Sequence, residues 1–152
     1  HKSGYENSYK DFFDQKKLII SKYFGHDEHY QRIHGLWTSL KADVLPLSIE
    51  EHENFFSATS HLPHLISYAL IKTIKDKDID IEKFSAGGLS EFVRLTKSSE
   101  TLWSDIFMSN LENIEKDTEA FINNMHELLE EASKTDSKSL LKKIQLIKKG
   151  VS

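Results

Sequence analysis

Proline at position 63 is the feature that most constrains how this chain folds, because it stands inside a segment with the apolar spacing of a buried helix. The segment SATSHLPHLISYAL, residues 57–70, carries two histidines, one on each side of the proline. A proline in a helix interior removes a backbone donor and crowds the preceding turn, at a cost of about 3 kcal/mol. We therefore predict a bend near Ser60, where the carbonyl of Thr59 loses its intrahelical partner.

The residues around this proline fall on two faces when the helix is wound at about 100° per residue. One face is mostly apolar and is predicted to be buried: Phe55, Ala58, Thr59, Leu62, Leu65, Ile66, Ala69 and Thr73. The other face is polar and is predicted to lie away from the helix's own core: Ser57, Ser60, His61, His64 and Tyr68. A bend lined by a hydroxyl and two imidazoles suits a ligand wall, and a purely structural kink explains the same residues equally well.

Two other groups of residues are candidate sites. His26 and His29 have a spacing that could offer two metal ligands, although acidic residues beside them are expected at a helix start without any metal. His61 and His64 support a similar minor hypothesis of a histidine-carboxylate metal site. The glycine pair of AGG, 86–88, permits close backbone approach to a ligand, and Arg94 could bind a carboxylate. A glycine pair also commonly just ends a loop.

Composition narrows the classes of protein to which the chain can belong. It has 152 residues, the size of one domain, and no cysteine, which excludes disulfides and thiolate chemistry and favours a reducing, cytoplasmic location. The net charge of −4 arises from interspersed acidic and basic residues, so no nucleic-acid footprint is predicted. The apolar runs are shorter than the roughly 20 residues of a membrane span, so no membrane partner is expected.

The N-terminal part of the chain has a β-α-β pattern. KKLIIS, 16–21, and ADVLPL, 42–47, are predicted strands, and the segment 26–40 between them is a predicted helix with Ile33, Leu36, Trp37 and Leu40 at helical spacing. Two strands cannot bury both of their faces alone. We therefore interpret this part as the tail of a larger α/β sheet.

The rest of the chain is predicted to be helical, which makes the fold mainly α. Ser48 and Glu51 have capping-box spacing, and a charged connection, 75–88, leads to a short helix. A long helix is predicted from Glu100 to Ala132, and a last amphipathic helix begins at a cap on Asp136 or Ser137. The long helix has a heptad seam that needs a partner helix: Phe107, Leu111, Ile114, Thr118, Phe121, Met125 and Leu128.

Taken in order, these motifs resemble the C-terminal helical domain of the prephenate dehydrogenases. The resemblance rests on SIEEHENFFSATSHLPHLISYAL and FSAGGLSEFVRLTKSSETLWSDIFMSN, which contain Ser-His-Leu-Pro-His, a glycine pair, an arginine, Trp-x-Asp-Ile and an Asn. The opening HKSGYEN is similar to the sequence that follows the family's His-Pro motif. The resemblance implies that residues 1–47 are the tail of a Rossmann-type nucleotide-binding domain and that residues 48–152 form a substrate-binding and dimerisation domain.

The resemblance also implies an activity and a set of site residues. Members oxidise prephenate, or arogenate in some, with NAD or NADP, and prephenate loses carbon dioxide to give 4-hydroxyphenylpyruvate in tyrosine biosynthesis. Arg94 would bind a substrate carboxylate, Gly87 would allow close backbone approach, and Trp103 would wall the pocket. The implied substrate-binding residues are Ser60, His61, His64, Gly87, Arg94 and Trp103. A homodimer through the long helices is implied as well.

Three departures from the family pattern limit what the chain is expected to do. The dinucleotide fingerprint Gly-x-Gly-x-x-Gly is absent from the sequence. The family's catalytic histidine would lie upstream of His1, and His1 is not assigned that role. Ser90 stands where some members have a basic residue. We therefore expect a fragment that has no catalytic residue and neither binds NAD nor turns over alone. The alternative is a non-catalytic helical dimerisation module with a relic pocket.

Overall fold

A computed structural model of the chain describes residues 9, 11–21, 27–134 and 137–151. The chain divides into two compact units, His1–Phe55 and Phe56–Ser152. The predicted fold class is confirmed, because a short β-α-β piece precedes a series of helices. Among the described residues, no helix combines the length and the apolar content that a bilayer crossing requires.

The first unit contains a parallel pair of strands joined by a helix, as the sequence predicts. Strand β1 (Lys17–Ser21) and strand β2 (Asp43–Leu47) flank helix α1 (Asp27–Ser39). The register places Ile20 opposite Pro46. Proline is tolerated there because each strand of a two-stranded sheet is an edge strand, with one side that needs no ladder hydrogen bond.

No described side chain of this first unit is fully buried. Ile33 and Leu36 of α1 are 48% and 57% exposed, although their spacing is that of a helix face made for packing. Trp37 is half-buried against Phe13, with the two rings edge to face and their centroids 5.1 Å apart. The first unit therefore leaves much of its apolar surface uncovered, as expected for two strands and one helix.

Helix α2 (Ile49–Phe56) starts with the predicted capping box. The Ser48 N–H donates to Oε2 of Glu51 at 2.7 Å, and the Glu51 N–H donates to Oγ of Ser48 at 3.1 Å. These hydrogen bonds, the one from the Ser48 backbone first, hold the pKa of the Glu51 carboxyl below its ordinary value. The sequence signal for this helix start is thus confirmed atom by atom.

The second unit is helical throughout its described elements. A π-helical turn at Ser57–His61 opens it. The helices that follow are α3 (Leu62–Lys75), α4 (Ile81–Phe84), α5 (Gly88–Thr96), α6 (Glu100–Ser109), α7 (Leu111–Ser133) and α8 (Ser137–Lys148). Helix α3 packs on α5, and α7 packs on both the π-helical turn and α8. The candidate cap Asp136 lies outside the described residues.

Two sequence predictions about this unit are wrong in detail. The single long helix is two helices, because the backbone breaks at Asn110 with φ −126° and ψ 31°. The apolar face predicted around Pro63 is exposed at five of its eight positions: Phe55, Ala58, Thr59, Ala69 and Thr73. Ser57 from the opposite face is fully buried instead. Ser67 of α3 lies on that same opposite face and is fully buried as well, so the polar side of this segment is the one that packs, with its histidines against Trp103.

Candidate functional site

The distortion predicted at Pro63 is present, and it takes the form of a widened turn. The N–H of Leu62 donates to the carbonyl of Ser57, five residues earlier, and Pro63 follows in the first turn of α3. The wider turn accommodates the proline, which brings no N–H to the backbone hydrogen bonds at this point of the continuous helix. Single π-helical turns of this kind occur frequently at functional sites.

Both histidines of the turn contact the same tryptophan. The ring of His64 stacks on Trp103 of α6, with centroids 3.5 Å apart and planes inclined by 20°. The ring of His61 meets Trp103 edge to face at 6.2 Å. Trp103 is 8% exposed and is one of two buried apolar side chains among the described residues. The two imidazoles are therefore partly buried and packed against Trp103, and they do not lie on an exposed face.

Each histidine ring also makes a defined polar contact. Nδ1 of His64 lies 2.9 Å from the carbonyl oxygen of Ser60. Nδ1 of His61 lies 3.2 Å from Nδ2 of Asn110, a side chain that is 7% exposed. The amide oxygen of Asn110 accepts a hydrogen bond from Nδ2 of Asn113 at 2.8 Å. These contacts connect the π-helical turn to the break between α6 and α7.

Asn110 is a site residue that the sequence analysis left without a role. The heptad spacing runs through it, because a pattern of apolar residues does not register a break at a polar position. The available signal was the asparagine itself, since its side chain competes for backbone hydrogen bonds and favours helix ends over helix interiors. Its burial and its contact with His61 could not be read from spacing.

The structure does not bring all six predicted site residues together. Ser60, His61, His64 and Trp103 form one cluster through the contacts above. Nε of Arg94, by contrast, pairs with Oε2 of Glu91 at 2.9 Å on the exposed side of α5. Convergence of this arginine on the histidines thus stays a prediction.

Gly87 stands just before α5 and has a backbone conformation that favours glycine. Its φ is 56°, a value that side chains rarely adopt, while the space where a Cβ would lie is open. The glycine is therefore explained by the turn into α5. A close approach of its backbone to a ligand stays a prediction.

An apolar groove of about 410 Å³ lies beside the cluster. Four members of the predicted heptad seam line it, together with Leu65 of α3 and three further residues of α7. The lining residues are Leu65, Phe107, Leu111, Ile114, Glu115, Thr118, Glu119 and Ile122. The first half of the seam therefore lines a concave apolar surface.

Neither a metal site nor the usual dinucleotide site is found among the described residues. These residues contain no group of three or more histidine, aspartate or glutamate side chains placed to hold a metal ion. His26 of the suggested histidine pair lies outside the described residues. The β-α-β piece is the kind of element that builds a dinucleotide fold, but the sequence has no Gly-x-Gly-x-x-Gly, so the residues present do not supply the usual phosphate cradle.

Known proteins that are similar to the chain all point to one family. The family model for the prephenate dehydrogenase dimerization domain matches residues 48–146. The chain is 29% identical over 120 residues to prephenate dehydrogenase of Bacillus subtilis, a match of 75% of this chain and 32% of that protein. It is 33% identical over 78 residues to cyclohexadienyl dehydrogenase of Zymomonas mobilis, a match of 49% of this chain and 27% of that protein.

A solved structure is similar over nearly the whole chain. Prephenate dehydrogenase from Aquifex aeolicus, in complex with hydroxyphenyl propionate and NAD+, matches 97% of this chain and 53% of its own at 30% identity, with a TM-score of 0.83. The chain thus matches between about a quarter and a third of the length of the two relatives above and about half of the solved chain.

Proposed function

This chain belongs to the family of the prephenate dehydrogenase dimerization domain, and from that premise we propose that it forms the substrate-binding and dimerising part of such an enzyme. The parent reaction would be the NAD- or NADP-dependent oxidation of prephenate, or arogenate, in tyrosine biosynthesis in the cytoplasm. The proposed boundary between the nucleotide-binding tail and this part lies between residues 47 and 48. Neither nucleic acid nor a membrane has a place in the proposal.

The cluster of His61, His64 and Trp103 is the observation that carries the proposal. Two imidazoles that stack on and abut one buried indole, at a π-helical turn, form a rigid polar surface beside an aromatic wall. Such a surface suits a flat anionic six-membered ring. Its position within the matched segment, residues 48–146, ties the geometry to the family.

Each residue of the proposed site would bind or orient the substrate. The two histidines would give hydrogen bonds to its oxygens, the Trp103 indole would wall the ring, and Gly87 would let the backbone approach. Arg94 would bind a carboxylate after its guanidinium leaves Glu91. NAD or NADP would take up the hydride in the parent enzyme, and a nucleotide-binding domain with its own phosphate loop would hold it.

The proposed dimer would be built on the apolar groove beside the cluster. Phe107, Leu111 and Ile114 recur at heptad spacing along this groove, and the long helix of a second copy is the partner that such spacing fits. Leu111 and Ile122 of the groove are 52% and 46% exposed, and covering such side chains contributes at most about 1.5–3 kcal/mol each toward association of two copies.

Calorimetric titration of the purified chain with prephenate, and with hydroxyphenyl propionate, tests the site. We expect saturable binding that the substitution Arg94→Ala weakens by about tenfold or more, because a charged hydrogen bond is worth about 1.5–3 kcal/mol. Arg32→Ala is the matched control, since Arg32 is the only other arginine of the chain and is also exposed. Equal affinities of the two variants would contradict the role of Arg94.

The non-catalytic dimerisation module is the second candidate, and the placement of Arg94 favours it. Its guanidinium lies at the surface in an ion pair with its own helix neighbour, which is what a pocket that has lost its ligand would show. The module predicts the same fold and the same dimer. It differs in predicting no heat of binding with either compound, in the wild-type chain as in both arginine variants.

The expectation that the chain is inactive alone has a separate test. Prephenate and NAD are incubated with the purified chain, and nicotinamide absorbance is followed. We expect no change, because the sequence lacks the dinucleotide fingerprint and has no assigned catalytic base. Steady reduction of NAD that scales with the concentration of the chain would refute this expectation.

A further inference from the structure

The two histidines of the site are held by partners of opposite kind. A carbonyl oxygen can only accept a hydrogen bond, so Nδ1 of His64 must carry the hydrogen in its 2.9 Å contact with Ser60. The amide nitrogen of Asn110 can only donate, so Nδ1 of His61 must be the acceptor in its 3.2 Å contact. In the neutral rings, the hydrogen is therefore on Nε2 of His61 and on Nδ1 of His64.

The orientation of the Asn110 amide is itself fixed by a second asparagine. Nδ2 of Asn113 donates to Oδ1 of Asn110 at 2.8 Å. With its oxygen committed to Asn113, the amide turns its nitrogen toward His61. The order Asn113 to Asn110 to His61 thus runs in one direction, from donor to acceptor at each step. Asn110 is 7% exposed, so water has little access with which to compete for its amide.

We propose that Asn110, held by Asn113, is a positioning residue that fixes neutral His61 as the Nε2–H tautomer, opposite to His64. While both rings are neutral, Nε2 of His61 then carries a hydrogen and Nε2 of His64 carries a lone pair. His61 can donate to an anionic oxygen without taking up a proton, whereas His64 can accept from a hydroxyl. The ligand class that this pattern selects is a hydroxy acid, and this last step rests on the proposed function.

Nitrogen NMR of the chain with ¹⁵N-labelled histidine tests the tautomers directly. At a pH about two units above the ordinary imidazole pKa of about 6.5, a ring nitrogen that carries hydrogen is well separated in shift from one that does not. The variants His61→Gln and His64→Gln assign the signals. We expect the hydrogen on Nε2 in His61 and on Nδ1 in His64. The same tautomer in both rings would overturn the proposal.

The substitution Asn113→Asp tests the positioning step. A carboxylate at 113 can only accept, so the Asn110 amide must turn its nitrogen toward it and its oxygen toward His61, which moves the His61 hydrogen to Nδ1. His64 should keep its tautomer. Asn124→Asp, the same change at an exposed position of α7, is the matched control and should leave both rings unchanged. An unchanged His61 in folded Asn113→Asp would overturn the role of Asn113.

A folding failure of Asn113→Asp leaves the proposal testable, because the wild-type spectrum alone decides the two tautomers. Binding of hydroxyphenyl propionate separates the two proposals. If the tautomers are as stated and Asn113→Asp loses about tenfold in affinity relative to Asn124→Asp, positioning for a ligand is supported. If the tautomers are as stated but wild type does not bind, the proposed function fails while the assignment of Asn110 stands.

Discussion

The two units of this chain differ in where their apolar side chains go. In the first unit, helix α1 presents Ile33 and Leu36 about half exposed, and no described side chain is fully buried. In the second unit, Trp103 and Ile114 are buried, and so are the polar side chains of Ser57, Ser67 and Asn110. Both units have amphipathic sequences, but only one has side chains of its own to cover the apolar face.

In the second unit, the fully buried side chains are grouped around the π-helical turn and do not follow the apolar pattern of the sequence. Full burial there is concentrated on the turn, on α3 and on the helices that cross them, and it includes polar groups that a simple hydrophobic core would exclude. Asn110 is one of these groups, and it contacts His61, which like His64 is partly buried. Away from the turn, α7 again leaves apolar residues such as Met125 and Leu129 exposed.

Removing one tryptophan from each unit is expected to show the largest difference between the two units. Trp103→Ala should lower the free energy of unfolding by about 3–5 kcal/mol, because it removes a buried indole that stacks on the ring of His64 and leaves a cavity. Trp37→Ala should lower it by less than about 2 kcal/mol, since that ring is only half-buried. Urea unfolding followed by circular dichroism measures both. Equal losses would mean that the two units are packed alike.

A charge placed on one exposed leucine in each unit tests which of the two leucines lies in a dimer interface. Leu111 and Leu36 are 52% and 57% exposed, but only Leu111 lines the groove assigned to a second copy. Leu111→Glu should weaken dimerisation by about 2–3 kcal/mol, and Leu36→Glu should leave it unchanged. Sedimentation or light scattering across a dilution series reports the association. A wild-type chain that stays monomeric at micromolar concentration would contradict the dimer itself.

Each unit has one proline, and replacing each in turn tests whether the π-helical turn depends on Pro63. Pro63→Ala restores a backbone donor, so the turn can relax toward regular α-helix and shift His64 against Trp103. Stability should change by about 1 kcal/mol or less, while Trp103 fluorescence, recorded in a Trp37→Phe background, should change clearly. Pro46→Ala in the edge strand should leave that fluorescence as it was. A silent Pro63→Ala would show that the proline does not hold the turn.

Most of the elements could be predicted from the sequence because their signals are local. The strands follow from β-branched runs, and the start of α2 follows from Ser48 and Glu51, whose reciprocal hydrogen bonds are both present. The resemblance to the family was likewise carried by short motifs. Such features depend on residues a few positions apart, so a single sequence contains them in full.

The rest could not be predicted because it depends on distant partners. The buried face around Pro63 was chosen by its apolar content, but the polar face is the one that packs, so Phe55 and Ala58 are exposed. The contact of Asn110 with His61 joins residues 49 positions apart. Convergence of Arg94 on the histidines stays a prediction, because it too concerns residues far apart in the sequence. Neither the buried face nor the contact of Asn110 is encoded in spacing alone.

The smallest effect we expect concerns the pH dependence of two hydrogen-bonded carboxylates, one in each unit. Hydrogen bonds from Ser48 lower the pKa of Glu51, and hydrogen bonds from Lys134 and then Ser139 lower the pKa of Glu131, both from an ordinary value of 4.5. A carboxyl whose pKa is lower in the folded state stabilises the fold above its unfolded pKa and loses that contribution as the pH falls through the folded value.

Glu51→Gln and Glu131→Gln should each be slightly less stable than wild type at neutral pH, and each difference should shrink as the solution is acidified below 4.5. Urea midpoints across that range measure it. Added salt should reduce the Glu131 difference more, since the ion pair with Lys134 is screened while the hydrogen bonds of the Glu51 capping box are largely unaffected. A Glu51 difference that grows on acidification would mean that the capping box does not act through the ionised carboxylate.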